Sequence, residues 1–429
     1  MDKKKRYNKY KLTVIFMCIN FVFNLNAQNK ADYQPISDKE QVEIGNSLFT
    51  NDVESYIFSG SIPVGFVTFT DVLNTVSYNP IEGTRIRLSA KTNDSFSKRA
   101  MFSAMVAYGT KDKEFKYSVG GAYNFYHKAK SVYAYPASTL AINYEDNTYL
   151  PSYSNYDLAY YSIGSWDRFY FAKKKQATLS FTQDFPYGFT IKPYTYWQKI
   201  DSYIFYDKDI NDSVNNRFEM LDGAYDYTDK AFGVEFSFLP SRKNKLKEVF
   251  QTINSRFYFF DTQVRLSYSY NIQKYKSKHE YSKIEFTAQH RIKLSPMSLD
   301  FRVVCGKIFG TSDSLMYFSA NYMFSAVSNY YGFNLYAPNE KLFYEYLQTY
   351  TQLNFGGLFL DNIPYFKKLR SNEFINFKAL FSRNNDVYCE AGTGVDHILG
   401  FLGVEIVKRF SKKNPYDMPE WGLRIRCTL

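Results

Sequence analysis

Residues 283–294, KIEFTAQHRIKL, place Ile284, Phe286, Ala288, Ile292 and Leu294 on even positions, and Lys283, Glu285, Thr287, Gln289, Arg291 and Lys293 on odd ones. Side chains alternate across a β-strand with period 2, so this stretch predicts a ribbon with one apolar and one charged face. The pattern recurs. Ile86, Leu88 and Ala90 alternate with Arg85, Arg87 and Ser89; Phe115, Tyr117, Val119, Tyr123 and Phe125 with Lys116, Ser118, Gly120 and Asn124. Leu179, Phe181 and Phe185 face away from Thr178, Ser180, Thr182 and Asp184, and Val264, Leu266, Tyr268 and Tyr270 from Arg265, Ser267 and Ser269. Leu299, Phe301, Val303 and Cys305 oppose Asp300 and Arg302; Ile375, Phe377, Ala379 and Phe381 oppose Asn376 and Lys378. The final stretch sets Trp421, Leu423, Ile425, Cys427 and Leu429 against Arg424, Arg426 and Thr428.

The segments share a polar face of Arg, Lys, Ser, Thr and Asn and an outer face free of charge. No long amphipathic helix is available to cover so much sheet. The predicted fold is therefore all-β: a transmembrane antiparallel β-barrel of about 16 strands, within a range of about 14 to 18, which satisfies every backbone group without edges. Closure predicts that Trp421–Leu429 pairs with the first clear strand, Thr84–Lys91, setting Arg424 and Arg426 beside Arg85 and Arg87. Counting back from the C-terminus puts the long loops near 146–168 and 200–228 on the periplasmic side, where turns are short. That conflict predicts an unmarked or merged strand beside each, with Phe257–Tyr270 one place for it.

Composition supports a membrane sheet. Of 429 residues, 41 are Tyr and 40 are Phe, yet the mean hydropathy is −0.40. Aromatic girdles at both membrane interfaces, with polar loops and a polar interior, account for that combination. Beyond the N-terminus no apolar run of membrane-helix length occurs.

Lys3, Lys4, Lys5, Arg6, Lys9 and Lys11 precede an apolar run, Leu12–Phe23, and Ala27 supplies the small residue before Gln28. This predicts a cleaved signal peptide at 1–27, an N-terminal arm or partial plug at 28–75 and the barrel at 76–429. The signal carries six basic residues and Asp2, so the formal charge falls from +11 to 11 − 5 = +6 on cleavage. A charge that mild over so long a chain predicts no nucleic-acid partner. Cys305, Cys389 and Cys427 sit within alternating stretches and make no CxxC, so they read as small apolar residues.

Several stretches resemble a Gram-negative outer-membrane barrel family of unknown function, often found with an N-terminal carboxypeptidase-regulatory-like domain. They are YNPIEGTRIRLSAKTN (78–93), AYGTKDKEFKY (107–117), GLFLDNIPYFKKLRSNEFINFKAL (357–380), EAGTGVDHILGFLGVEIVKRF (390–410) and WGLRIRCTL (421–429). The last two are also similar to closing strands of the wider assembly and two-partner-secretion barrel superfamily. The resemblance implies a barrel and a cell outer membrane location. The regulatory-like domain is absent from this sequence, and Leu429 stands where such barrels usually end in an aromatic residue. The superfamily's Val-Arg-Gly-Phe type loop motif is also not found.

Candidate chemistry follows the faces. His127, His279, His290 and His397 form no catalytic constellation; Asp396-His397 is a turn pair, and no HExxH, GxSxG or P-loop pattern occurs. No catalytic residue, cofactor or metal is predicted. Asn362–Leu369, with Lys367, Lys368 and Arg370, reads as an interfacial anchor. Asn79–Gly83 and Gly109–Lys113 are turns, with Glu82 placed to pair with Arg85. The candidate lumen lining is Arg85, Arg87, Arg265, Glu285, Arg291, Lys293, Asp300, Arg302, Glu405, Arg424 and Arg426. Two arrangements fit these residues: a cationic wall along a pore, or an ion-pair network through Glu285, Asp300 and Glu405 that fills the interior. The expected role is non-enzymatic, structural or in envelope assembly; the alternative is a pore or transport channel with a cationic lumen. Expected partners are outer membrane lipid, the outer-membrane assembly machinery during insertion, and a periplasmic or outer-membrane protein.

Overall fold

A computed structural model describes residues 61–427, apart from 73–74, 80, 150–167, 208–226, 240–261, 273–279, 295, 313–316, 321–330, 337–341, 364–370, 384–386, 397, 399–401 and 411–419. The expected signal peptide, the first part of the expected arm, His279, His397 and most of the expected 362–369 anchor lie outside the described residues. The described residues all belong to one compact unit, Tyr56–Leu429.

The described elements are almost all strands. Short β1 (Ser61–Val64), β2 (Val67–Thr70) and β3 (Val76–Asn79) lead into β4 (Gly83–Thr92), β5 (Ala100–Gly109), β6 (Phe115–Asn124) and β7 (Ser138–Tyr149). Longer β8 (Arg168–Asp184) and β9 (Phe189–Asp207) precede β10 (Tyr227–Phe238), β11 (Thr262–Asn271), β12 (Glu280–Leu294) and β13 (Met297–Thr311). After the small β14 (Phe318–Ser319) and β15 (Leu342–Phe343) come β16 (Glu345–Asn354), β17 (Asn372–Ser382), β18 (Val387–Asp396), β19 (Leu402–Arg409) and β20 (Trp421–Cys427). Eighteen of these form one antiparallel sheet, and β14 pairs with β15 alone. β2 and β3 lie end to end along one edge of β4, opposite Ser89–Thr92 and Gly83–Ile86. Counting that pair once, the described sheet has 18 − 1 = 17 lanes, within the expected range of about 14 to 18.

Three expectations need correction. β4 does not pair with the last strand, because its edges are taken by β5 and by β2 with β3. Among the described residues no ladder joins β20 to another strand besides β19. Residues 61–70, expected within an arm, are strands of the sheet; Gly65 and Pro63 interrupt their alternation and hid it. The loop-side conflict is resolved by β10 and β11, which are separate strands. The ends of β7, β8, β9 and β10 that flank 150–167 and 208–226 then lie opposite the C-terminal end of β20.

The sheet is inverted relative to a soluble one. In β4, Arg85 and Ser89 are buried while Ile86 and Leu88 are more than half exposed; in β7, Thr139 is buried and Ile142 is 62% exposed. Phe377, Ile406 and Leu423 are likewise exposed, whereas Asn376, Lys378 and Glu405 are buried. A sheet in water turns its apolar face inward. One that exposes that face on strand after strand matches a hydrocarbon solvent.

The polar face is also concave. Arg426 of β20 donates from Nη1 to Oε1 of Gln352 in β16 at 3.1 Å. Strands lie about 4.7–4.9 Å apart, so a flat sheet would separate those two lanes by roughly 19 Å. Arg85 of β4 similarly reaches Asn147 of β7 at 3.0 Å. The sheet therefore wraps around its polar side chains.

Leu423→Arg or Ile142→Arg should cost about 2–4 kcal/mol near the membrane midplane and sharply reduce the heat-modifiable, membrane-inserted form on gels. Ser118→Arg, on the polar face, should insert at close to the normal yield. Equal losses for the two faces would contradict the assignment.

Candidate functional site

Wrapping the sheet brings charged residues together in three groups. In the first, the turn from β3 to β4 buries Glu82, which meets Arg85 Nη1 at 3.2 Å and Lys116 Nζ at 3.0 Å. Asn79 Nδ2 donates to the same carboxylate at 2.6 Å. Burial pushes the Glu82 carboxyl up, but Arg85 and Lys116 outweigh it and hold the group below the usual carboxylate range. Gly83, at φ +73°, makes this turn possible; a Cβ there would meet Thr110 Oγ1 at 2.8 Å. In the second group Arg291 pairs with Asp300, its Nη2 lying 3.0 Å from Oδ2, and Asn354 donates to that oxygen at 2.8 Å. The third group joins Arg426 to Asp396 at 2.9 Å and to Glu405 at 3.5 Å, with its guanidinium 3.9 Å from the centre of the Phe374 ring.

Other predicted residues are dispersed along the same face. Arg87 bridges Asp71 at 3.0 Å, and Arg265 bridges Glu285 at 3.6 Å. Arg302 lies 5.1 Å from the ring centre of Tyr331. Lys293 belongs to β12, with its side chain outside the described residues. Arg424 and Arg426 do not stand beside Arg85 and Arg87, because β20 and β4 are not paired. His290, on the apolar face, accepts or donates through Nδ1 to Thr262 Oγ1 at 2.8 Å and meets Phe301 edge-on. Among the described residues, no group of three or more His, Cys, Asp or Glu side chains is placed to hold a metal ion.

The principal site is one the sequence pattern missed. Residues 331–336, Tyr-Gly-Phe-Asn-Leu-Tyr, lie in the connection between β13 and β16 and are largely buried against the polar face. The Glu390 carboxylate accepts the backbone N–H of Asn334 at 2.8 Å and of Leu335 at 2.6 Å, and also receives the Tyr388 hydroxyl. Lys378 Nζ donates to the carbonyl of Gly332 at 2.6 Å, and Arg424 Nη2 to that of Asn334 at 2.9 Å. Lys378 and Glu390 are cross-strand neighbours and both are fully buried. Three strands thus hold this segment by its main chain through charged side chains, the stronger class of hydrogen bond.

Apolar packing completes the seat. Phe333 meets Tyr350 and Tyr388 at centroid distances of 5.4 Å, and Tyr336 meets Tyr388 edge-on at 4.9 Å. Two inward glycines make room. A Cβ at Gly306 would lie 2.7 Å from Phe318, and one at Gly422 would lie 2.6 Å from Leu335. Phe318, Phe333, Tyr336, Phe343, Tyr346, Tyr350 and Tyr388 form one buried cluster, a soluble-type core on the polar side of the sheet.

The two halves of the polar face differ. Inward Tyr346, Gln348, Tyr350, Gln352, Asn376, Lys378, Tyr388 and Glu390 are all buried under this segment and its neighbours. On the wall from β5 to β11, Ser103, Ser118, Asn143, Thr178, Ser180, Arg265 and Ser267 are half-buried and reach solvent, while Lys116, Thr139, Gln198, Asp229 and Ser269 are buried. Residues 331–336 have no strand period, since their contacts are tertiary.

Replacing both Leu335 and Gly422 by Cys should yield a disulfide in the oxidised protein, seen as a mobility shift on a non-reducing gel. Adding Glu390→Ala, which strands Lys378 and two N–H groups at a cost of about 3–5 kcal/mol, should lower the crosslinked fraction. An unchanged fraction would show that Glu390 does not hold the segment.

Residues 55–395 match the C-terminal domain of a family of unknown function, DUF5686. No curated protein matches the chain. Solved structures similar to it include BamA from Haemophilus ducreyi lacking POTRA domains 1–3, at 10% identity and a TM-score of 0.47, covering 81% of this chain and 68% of that one. CdiB from Acinetobacter baumannii is 10% identical with a TM-score of 0.41, over 82% of this chain and 57% of its own. CdiB from Escherichia coli is 8% identical with a TM-score of 0.43, over 85% and 62%. With the match covering 341 of its 429 residues, the chain belongs to the DUF5686 family through that family's C-terminal domain.

Proposed function

We propose that this protein is an integral β-barrel of the cell outer membrane, without enzymatic activity, with a structural or envelope-assembly role and an interior largely closed to flow. The inverted sheet carries this reading, because exposed apolar residues alternating with buried charges require lipid outside and a polar interior. The basic and apolar N-terminus at 1–27 supports export by a cleaved signal. Insertion would then use the outer-membrane assembly machinery, and the role would be exercised with a periplasmic or outer-membrane protein partner. The seated 331–336 segment and the ion pairs of Arg85, Arg265, Arg291 and Arg426 favour a filled interior over an open cationic one.

One observation favours the second reading, a pore. The half-buried side chains from β5 to β11 leave a polar wall in contact with water. Their ion pairs make that wall less cationic than the count of arginines implies.

Single-channel recording in planar bilayers separates the two. The intact protein should show little or no steady conductance, and Glu390→Ala should open frequent larger events by releasing the segment. Stable large conductance in the intact protein, unchanged by Glu390→Ala, would overturn the filled-interior reading.

A further inference from the structure

We propose that Thr287, Gln289 and Arg302, on the inward face of β12 and β13, bind the carboxylate group of a small solute. This rests on the outer-membrane reading above, which makes the polar face a barrel interior. Cross-strand register sets Gln263, Gln289, Arg302 and Tyr350 in one inward row, and Arg265, Thr287, Val304 and Gln348 in the next. Gln289 and Arg302 are direct partners, with Cβ atoms roughly 4.5–5.5 Å apart. Thr287 stands about 7 Å along the strand from Gln289. Each of the three presents a buried polar atom: Thr287 Oγ1, Gln289 Nε2 and Arg302 Nε have no hydrogen-bond partner. Thr287 is 6% exposed and Gln289 4%. Two of these atoms are N–H donors and the third is a hydroxyl that can donate, so together they call for an acceptor.

The charge at this place calls for an anion as well. The inward carboxylates of β12 and β13 are Glu285 and Asp300, and each is engaged elsewhere. Arg265 lies 3.6 Å from Glu285, which also accepts the Tyr346 hydroxyl at 3.2 Å. Arg291 pairs with Asp300, which accepts Asn354 Nδ2 at 2.8 Å. Arg302 meets no carboxylate among the described residues; its contact is the Tyr331 ring, 5.1 Å away at the centre. A ring attracts a guanidinium but does not neutralise its charge. One positive charge is thus left over beside the orphaned donors.

The donor set identifies the ligand. A single surplus charge matches a single negative charge, and the planar guanidinium fork fits a carboxylate through two parallel hydrogen bonds. The Gln289 amide and the Thr287 hydroxyl add neutral donors within reach of the same group. A doubly charged phosphate would keep one charge unmet. The place is open to a solute: half-buried Gln263 and Arg265 adjoin it on β11, where the wall meets water, and Tyr331 of the seated segment bounds its other side.

The test places the full chain in phosphatidylcholine nanodiscs and titrates propionate. It follows saturation-transfer NMR of the solute and the temperature at which the heat-modifiable form is lost. The intact protein should bind propionate above the level of empty nanodiscs and be stabilised by it. Thr287→Val/Gln289→Leu should weaken binding about tenfold or more, and Arg302→Gln should abolish it. Arg99→Gln, which removes a guanidinium set 4.9 Å from the centre of the Tyr123 ring, should bind as the intact protein does. Without propionate, Arg302→Gln should be at least as stable as the intact protein, since it removes a charge that has no counter-ion. Lower stability of that variant would make Arg302 a structural cation and overturn the inference. An equal propionate response from the intact protein and Arg302→Gln, or none from either, would also overturn it and leave the donors to water. An equal response to inorganic phosphate would overturn the carboxylate assignment. Failure of the intact chain to enter the bilayer at all would instead count against the outer-membrane reading.

Discussion

A β-strand has two faces and gives each residue to one of them, so a sheet between two solvents must sort its side chains by alternation alone. Everything else in this protein depends on that sorting. Lipid supplies no hydrogen bonds, so backbone groups must be met along the ladders and charges must leave the outer face. Interior charges then need partners, because a buried ion without one costs several kcal/mol. The pairing of Arg85 with Glu82, Arg291 with Asp300 and Arg426 with Asp396 and Glu405 follows from that requirement.

The same requirement explains why the segment at 331–336 is held as it is. Lys378, Glu390 and Arg424 are committed to the polar face by their positions in β17, β18 and β20. Facing inward, they find partners in main-chain N–H and C=O groups of a chain segment rather than in one another alone. The segment gains satisfied backbone groups, and its aromatic side chains gain a core with Tyr350 and Tyr388. Gly306 and Gly422 contribute by having no side chain where Phe318 and Leu335 come to rest. Charge, aromatic packing and missing side chains thus act at one place.

Alternation was legible wherever it ran uninterrupted. Residues 283–294 fall in β12 with Phe286 paired to Leu266 and Cys305 on one face, and Glu285 to Ser267 and Gly306 on the other. The pairing of Glu82 with Arg85 was also readable, since a turn brings them together locally. What escaped was non-local or aperiodic. Ser61–Thr70 is broken by Pro63 and Gly65, so β1 and β2 show no period, and alternation alone points β4 to the wrong neighbour. Residues 331–336 carry no strand pattern, and the side chains that hydrogen-bond their main chain lie 46 to 90 positions away in the sequence. Such contacts are set by which strands meet, which alternation does not encode.

The central claim is that alternate residues of each strand face lipid and a polar interior. Spin labels placed singly at Phe115 through Tyr123 in β6, in reconstituted membranes, test it most directly. Collisions with lipid-soluble oxygen should rise at Phe115, Tyr117 and Val119 and fall at Lys116, Ser118 and Gly120, a period of two along the strand. A flat profile, or water-soluble quencher reaching both sets equally, would contradict the account.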